Sequence, residues 1–259
     1  MSQSRTQKPV LSIVIVTYSR SKRLHKCISG IQENVTTPTE IIVVSRKDNL
    51  DTAEWARLQP EIRFIINTNG QQPDSAYYKG FHAATGTYVM WLDDNSFPLP
   101  GAIDSAVNML QHTGMIDVGM IGFYHNHDDE LNRFDSIEHN GVIYSTYNVQ
   151  GLLCTNFGIL RRQLLNTLGY LNEESFYYGW EFDLSIKIQR QAGMKVIGCP
   201  KALIFQEEMI DKQKMEYMPR LAKDGNKSRR AWKPAAKYKH PATATDNQRT
   251  ILKQALIQS

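Results

Sequence analysis

The stretch "TYVMWLDDNS", residues 87–96, joins a buried-strand pattern directly to acidic side chains. Residues 88–92 are apolar and aromatic, as is typical of a strand that is covered on both faces of a sheet. Asp93, Asp94 and Asn95 follow at once, so two carboxylates lie at the end of that strand. Like charges repel there and lose hydration, and the position therefore needs a physical reason.

Two interpretations account for the acids. A divalent cation would neutralise them, since Asp93 and Asn95 offer hard oxygen ligands at a spacing that suits Mg²⁺ or Mn²⁺. The cation would then hold substrate phosphates through its other coordination positions. Alternatively, the segment is a turn, in which Asp and Asn accept hydrogen bonds from the nearby backbone. The spacing alone leaves both interpretations open.

Outward from this stretch, apolar runs alternate with helical patterns. Strands are predicted at residues 11–16, 40–44, 62–66, 87–92, 118–124 and 195–198. Helices are predicted at residues 19–31, at residues 75–84 with Asp74 as the N-cap, after Pro100 as a first-turn residue, and at residues 181–193. The polar region 125–150 is predicted to be a loop over the edge of the sheet.

This alternation predicts an α/β fold with right-handed βαβ units and a doubly wound, mostly parallel sheet. One domain is expected to span residues 1–210. Ligands of such sheets bind outside the carboxyl ends of the strands. Residues 17–20 follow the first strand and residues 93–95 follow the fourth, so we expect these two loops to share a crevice.

Positive charge is concentrated near the C-terminus. Residues 209–240 hold ten Lys and Arg against three Asp and Glu, whereas the whole chain has a net charge of +4. Periodicity fades in the same region, and residues 211–259 are predicted to be a basic extension, partly helical or disordered.

Cysteine usage and the N-terminal residues bear on the cellular location. The three cysteines, Cys27, Cys154 and Cys199, form no CxxC pair, which favours reduced, buried thiols over disulfides or zinc. The first ten residues contain no apolar segment typical of a secretory signal. A cytoplasmic protein is expected.

A second acidic pair lies in "GWEFDLSIK", where Glu181 and Asp183 open a predicted helix. Acids in a first turn interact favourably with the positive end of the helix, and this alone would explain them. Three aromatic residues precede the pair: Tyr177, Tyr178 and Trp180. A carboxylate beside such rings is partly desolvated and more basic, as a general base requires.

Five segments together resemble family 2 glycosyltransferases, which have the GT-A fold. They are "LSIVIVTYSRSKRLHKCISGI", "EIIVV", "GTYVMWLDDNS", "GILRRQLLNTLGYLNEESF" and "EFDLSIKIQRQAGMKV", in the order of the family and within residues 10–206. The resemblance implies transfer of a sugar from a nucleoside-diphosphate sugar to an acceptor, usually a hydroxyl, with inversion at the anomeric carbon. A UDP-sugar is the favoured donor.

The resemblance also implies roles for the acidic residues. Asp93 and Asn95 match the DXD-type motif that binds the metal, Mn²⁺ or Mg²⁺, and the donor diphosphate, with Asp94 between them. Glu181 falls at the place of the catalytic base, and Asp183 matches an aspartate two residues on. One of these two carboxylates would remove the acceptor proton.

The donor pocket is also implied by resemblance. Thr17, Tyr18 and Arg20 match the segment that lines the nucleotide pocket after the first strand. Ser45 stands where the family commonly has an aspartate that reads the base, and the nearby Asp48 could replace it.

Two further positions depart from the family. Tyr78 stands where an asparagine is frequent. Gln206 stands where many members have a metal-binding histidine, so the resemblance makes Gln206 a weaker candidate ligand, with Glu207 next to it.

Several alternatives remain open on the sequence. His125, His127, Asp128 and Asp129 lie close together and could form a metal cluster, although a solvated loop is favoured. The basic extension could be merely solvated, could contact an anionic membrane that holds a lipid-linked glycan acceptor, or could bind a nucleic acid. In the last case the enzyme would glycosylate nucleic-acid bases.

Two other functions compete with sugar transfer. A sugar-phosphate nucleotidyltransferase shares this kind of sheet, but the loop "TYSRSKR" lacks the glycines of its phosphate-binding loop. A non-catalytic protein that binds an anionic polymer would explain Ser45, Tyr78 and Gln206.

Overall fold

A computed structural model describes residues 8–17, 21–46, 50–68, 73–127, 130–169 and 180–208. Several sequence predictions fall outside these residues. They concern Tyr18, Arg20, Asp48, Asp128, Asp129, Tyr177, Tyr178 and the basic extension 211–259.

The first half of the chain is a parallel βαβ array. It comprises β1 (Leu11–Thr17), α1 (Ser21–Asn34), β2 (Thr39–Arg46), α2 (Leu50–Arg57), β3 (Ile62–Asn67), α3 (Pro73–Ala83) and β4 (Tyr88–Asp93). The four strands lie in the order β3-β2-β1-β4, and all three pairings are parallel. The prediction of parallel strands is confirmed here. Strands β1 and β4 are covered on both faces, as is typical of parallel sheets, whereas the edge strand β3 is partly exposed.

The second half makes the sheet mixed. It comprises β5 (Ser96–Pro98), α4 (Ala102–Gln111), β6 (Val118–His125), β7 (Arg133–His139), β8 (Val142–Val149), β9 (Leu152–Cys154), β10 (Gly158–Arg161), α5 (Arg162–Thr167), α6 (Trp180–Arg190) and β11 (Lys195–Gln206). Strand β10 is antiparallel to both β4 and β6, β11 is parallel to β6, and β5 is antiparallel to β11. The order across the sheet is β3-β2-β1-β4-β10-β6-β11-β5.

The predicted loop over residues 125–150 is wrong. Strands β7 and β8 form an antiparallel hairpin there. Its turn is Asn140–Gly141, with φ angles of 51° and 76°, and Asn-Gly is the dipeptide that favours such two-residue turns. Because most of β7 is exposed, its composition is polar and hid the strand.

Several element boundaries also differ from the sequence predictions, among them those of α4, α3 and β11. Helix α4 begins at Ala102 after Gly101, whose φ is 74°, so Pro100 precedes the first turn. Helix α3 begins at Pro73, so Asp74 lies within the helix and does not precede it. The last strand extends to Gln206, not 198.

Two helices pack closely on the sheet through glycines. A Cβ at Gly80 of α3 would overlap Val14 of β1, and a Cβ at Gly119 of β6 would lie 2.6 Å from the Ile188 side chain of α6. Both helices are therefore held against the sheet at short range, which matters because α3 and α6 carry residues of the site described below. In the described part of the chain, no helix has the length and apolar character needed to cross a bilayer.

Candidate active site

Polar side chains line the carboxyl edge of the four parallel strands. Thr17 ends β1, Ser45 lies near the end of β2, Asn67 ends β3 and Asp93 ends β4. Thr17 is in register with Ser45, and Val16 is in register with Asp93. Thr17, Ser45 and Asn67 are each at most 5% exposed. The edge is therefore a row of polar groups backed by an apolar core.

Asp94 points into the protein. Its side chain is fully buried, and its Oδ2 accepts a hydrogen bond of 2.8 Å from the Thr17 hydroxyl. This bond ties the loop after β4 to the end of β1. This bond comes from a side chain 77 positions away, whereas the turn interpretation invoked the nearby backbone.

The side chain of Asp93, unlike that of Asp94, is partly exposed at the carboxyl edge of the sheet. The Tyr77 hydroxyl, from α3, donates to its Oδ1 at 2.7 Å. Gln206 Nε2, from β11, donates to its Oδ2 at 3.1 Å. Three separate elements thus meet at this carboxylate, and each of its oxygens accepts a hydrogen bond from a neutral donor.

Asn95 lies beneath Asp93 and is 3% exposed. Its Nδ2 donates to the backbone oxygen of Glu207 at 2.7 Å, and its own backbone oxygen accepts from Glu207 N at 3.0 Å. Its Oδ1 is buried and has no hydrogen-bond partner. A buried acceptor without a partner is costly, and it is unusual in a folded protein.

The donor set at this place fits a hard divalent cation chemically. Asp93 supplies a carboxylate and Asn95 an amide oxygen without a partner, and Gln206 would supply Oε1 if its amide turned over. Among residues 8–208, leaving aside the gaps named above, no three His, Cys, Asp or Glu side chains are grouped to hold a metal.

Gln206 is held by a residue that the sequence analysis missed. The Gln206 backbone N–H donates to Asn126 Oδ1 at 2.6 Å, and Asn126 Nδ2 donates to the Gln206 backbone oxygen at 3.1 Å. Asn126 directly follows β6, the strand parallel to β11, and only that position at a carboxyl strand end could have pointed to it.

Glu207 forms ion pairs with two cations of α1. Its carboxylate oxygens lie 2.6 Å from Lys26 Nζ and 3.2 Å from Arg23 Nε. The hydrogen bond from Lys26, with the charge of Arg23, keeps the pKa of Glu207 below its usual value. Such exposed pairs stabilise a fold weakly, so their main effect is on local charge.

Helix α6 begins beside the same edge. Trp180, its first residue, packs on Tyr77 and Trp91 with ring centroids 4.8 Å and 5.1 Å apart. Glu181 follows and is partly exposed. Asp183 forms an ion pair of 2.8 Å with Lys187, one turn later in the helix. The Asp183 carboxylate therefore has a cationic partner on its own helix.

The predicted solvated environment of His125 is wrong, and the metal-cluster alternative also involves Asp128 and Asp129, which lie outside the described residues. His125 is 1% exposed; its Nδ1 donates to the backbone oxygen of Ser145, and its Nε2 accepts from Tyr147 and Asn156. Burial lowers the pKa of His125 to about 4. His127 is exposed.

The cysteine prediction is confirmed, since Cys27, Cys154 and Cys199 are buried and free. Cys27 lies beneath the acidic loop, where its thiol donates to the Ser96 backbone oxygen at 3.1 Å. Burial raises the pKa of this thiol, and the charges of Asp94 and Asp93 raise it further. Cys27 is therefore an inert core residue.

Comparisons with known proteins agree on one family. The profile described as "Glycosyl transferase family 2" matches residues 12–169. An uncharacterised glycosyltransferase, YwdF of Bacillus subtilis, is 23% identical over 229 residues and is matched over 82% of each chain. A GalNAc(5)-diNAcBac-PP-undecaprenol beta-1,3-glucosyltransferase of Campylobacter jejuni is 32% identical over 102 residues, which are 38% of this chain and 33% of that protein.

Solved structures agree on the fold. Mannosyltransferase PcManGT from Pyrobaculum calidifontis, in complex with GDP-Man and Mn²⁺, superposes with a TM-score of 0.59 at 16% identity, over 87% of this chain and 65% of that one. GalNAc-T7 with UDP, GalNAc and Mn²⁺ gives 0.60 at 14% identity, over 79% and 45%. The chain thus spans less than two thirds of either structure. The predicted GT-A architecture is confirmed.

Proposed function

The chain belongs to glycosyltransferase family 2, and on that premise we propose that it is an inverting, metal-dependent transferase. It moves a sugar, of the hexose type, from a nucleoside-diphosphate sugar to an acceptor hydroxyl. Family membership favours this over the sugar-phosphate nucleotidyltransferase considered above. The observation that carries the proposal is the partly exposed carboxylate of Asp93, at the carboxyl edge of the sheet and beside the first turn of α6.

The donor is proposed to lie along the row of polar groups at the carboxyl edge. Its base and ribose would lie near Thr17 and Ser45, together with Tyr18 and Arg20, and its diphosphate would lie at Asp93. Ser45 is neutral and small, so it cannot read a base as an aspartate would. The UDP-sugar is the working donor, and a GDP-sugar is the competing choice, since UDP and GDP-Man accompany the two structures above.

A divalent cation is proposed to be held by Asp93, Asn95 and Gln206. When bound, it would supply positive charge against the diphosphate leaving group. The cation is Mn²⁺ in both structures above, and Mn²⁺ is therefore the first metal to test. Asp94 contributes indirectly, because its bond to Thr17 fixes the loop that presents Asp93.

Glu181 is the proposed general base. As the acceptor oxygen attacks the anomeric carbon, the bond from that carbon to the diphosphate breaks, and the hydroxyl proton passes to the Glu181 carboxylate. Attack opposite to the leaving group inverts the anomeric configuration. Asp183 is the second candidate, and its carboxylate is engaged in an ion pair with Lys187.

The acceptor is proposed to be a glycan, and a lipid-linked one is the first to test. The Campylobacter relative is named for such an acceptor, although this chain matches only 33% of it. The basic residues of 211–259 would then hold the protein at the cytoplasmic face of an anionic membrane.

Calorimetric titration with UDP, GDP and dTDP, with and without Mn²⁺, tests the proposal. Metal-dependent binding of one nucleoside diphosphate is expected, and that nucleotide names the donor base. Release of the nucleotide from the matching sugar donor, with an added acceptor, then tests transfer. The absence of nucleotide binding, with tight and salt-sensitive binding of a polyanion, would overturn the proposal in favour of a non-catalytic binding protein.

A further inference from the structure

Tyr77 contacts both parts of the candidate site, namely the end of β4, which carries Asp93, and the start of α6, which carries Glu181. It is 2% exposed and lies in the middle of α3, the helix that packs against β1 through Gly80. Its hydroxyl reaches Asp93 Oδ1 at 2.7 Å and the Leu92 backbone oxygen at 3.0 Å. Both acceptors belong to the end of β4, so Tyr77 holds that strand end through two atoms.

The ring of Tyr77 makes the second connection. It packs on Trp180 with a centroid distance of 4.8 Å, and Phe81 of α3 lies 5.9 Å from the same indole. Trp180 is 4% exposed and is the residue immediately before Glu181. One side chain therefore contacts the carboxylate at the strand end and the ring that anchors the start of α6.

We infer that Tyr77 is a positioning residue that fixes Asp93 and the first turn of α6 in one spatial relationship. The inference rests on the proposed function, because it assigns Asp93 to the metal and diphosphate and Glu181 to the acceptor proton. The Tyr77 hydroxyl selects one orientation of the Asp93 carboxylate before any ligand arrives. The Tyr77 ring keeps Glu181 at a constant distance from that carboxylate.

A fixed spatial relationship between Asp93 and the first turn of α6 matters for the proposed reaction. In a displacement reaction the base and the leaving-group site must lie on opposite sides of the reacting carbon, and a small misplacement is costly in rate. Asp93 and Glu181 lie on different elements, 88 positions apart in the chain. Because the rigid side chain of Tyr77 contacts both the end of β4 and the start of α6, it restricts the motion of these two elements relative to each other.

The first test is Tyr77→Phe, which removes the hydroxyl and keeps the ring. Mn²⁺ is titrated in the presence of saturating UDP, with free Mn²⁺ followed by its electron paramagnetic resonance signal. Affinity for Mn²⁺ is expected to fall about tenfold, because the hydrogen bond lost was to a charged acceptor. Trp180→Phe, which shrinks the ring and spares Asp93, is expected to lower kcat while Mn²⁺ affinity stays at the wild-type value.

Tyr88→Phe is the matched control. Tyr88 is a buried tyrosine at the opposite end of β4, and its hydroxyl accepts a hydrogen bond from Arg161. The same substitution there is expected to leave Mn²⁺ affinity unchanged. In an Asp93→Asn background, Tyr77→Phe is expected to have little further effect on Mn²⁺ binding, since two residues that act as one unit are not additive.

The outcomes separate the inference from the function on which it rests. Wild-type protein that binds Mn²⁺ and UDP, with Tyr77→Phe binding both equally well, would overturn the role of Tyr77 and leave the transferase intact. Equal losses in Tyr77→Phe and Tyr88→Phe would overturn it too, because a general loss of stability would then explain both. Wild-type protein that binds no nucleoside diphosphate would overturn both proposals.

Discussion

The Thr17 hydroxyl donates to Asp94 Oδ2 at 2.8 Å, and both side chains are fully buried. The preceding carboxylate, Asp93, is partly exposed and bonds instead to Tyr77 and Gln206. Two neighbouring acids of one loop therefore face opposite ways. One fixes the conformation of the loop, and the other is the carboxylate that we propose to bind the metal and the diphosphate.

The exposed acid should control activity. Asp93→Asn keeps the shape of the side chain but removes its charge, so we expect transfer to fall about 10²–10³-fold, as for the loss of one group that stabilises developing charge. Steady-state kinetics with Mn²⁺ and the donor identified by calorimetry measure this. Near-normal activity in a folded variant would show that Asp93 does not contact the donor or its metal.

The buried acid should control stability. Thr17→Val leaves the shape of the side chain almost unchanged but removes the donor to Asp94, so a buried carboxylate loses a partner. We expect the free energy of unfolding to fall by about 1–3 kcal/mol. Urea denaturation measures it, and Thr39→Val on β2 serves as the control, because that hydroxyl bonds only the backbone oxygen of Thr37. An equal cost in both variants would contradict a special role for the Thr17 bond.

Glu181→Gln should separate binding from chemistry. The amide cannot accept the acceptor proton, so we expect kcat to fall about 10²–10⁴-fold while donor affinity stays near normal. Asp183→Asn is the matched variant, and since Asp183 pairs with Lys187, its kcat should fall less than about tenfold. The reverse pattern would make Asp183 the base.

Gln206→His should strengthen metal binding. An imidazole is a better ligand for Mn²⁺ than a neutral amide, and the backbone of this residue is already held by Asn126. We expect the Mn²⁺ concentration at half-maximal activity to fall about threefold or more, and calorimetry in the presence of UDP checks it. A rise in that concentration would mean that the amide is needed to hold Asp93.

His125 should make stability depend on pH. Burial lowers its pKa from 6.5 to about 4 in the folded protein. Between pH 6.5 and pH 4 this imidazole is therefore protonated in the unfolded chain but neutral in the folded chain. The contribution of His125 to the free energy of unfolding is therefore fully present above pH 6.5 and is lost as the pH drops towards 4. From pH 7.5 to pH 5 the loss from this group should be about 2 kcal/mol.

Urea denaturation at several pH values measures this loss. His125→Gln should remove most of the dependence, and the exposed His139→Gln of the hairpin should keep it. A dependence that is equally steep in His125→Gln would assign the effect to other groups.

Sequence patterns predicted the parallel half of the fold because its signals are strong. Strand β1 is a nearly continuous apolar run and β4 is apolar and aromatic up to Asp93, and α1 repeats buried residues at Leu24, Cys27, Ile28 and Ile31. Strand β10 has only four residues, too few to show a period, and its antiparallel pairing depends on distant strands. The hairpin was missed because its exposed strand is polar, although Asn140–Gly141 marked the turn.

The candidate site was predictable only in part. Acids at a strand end are visible in the sequence, and Asp93 was found in this way. That Asp94 turns inward and that Tyr77 reaches Asp93 depend on contacts between α3, β1 and β4, which are far apart in the chain. Tyr77 follows no motif that predicts a polar contact, and the sequence analysis assigned it no role.

The irregular pairing of β11 with β6 sets which side chain reaches Asp93. Gly198 pairs with Gly122 and Leu203 with Tyr124, so five steps along β11 match two along β6. Loss of one residue between 199 and 202 would draw the following segment back by one place and bring Glu207 to the position of Gln206. A single deletion in this bulge would thus exchange an amide for a carboxylate beside Asp93, and at the proposed metal site the length of the bulge would change the metal preference without any substitution in the site.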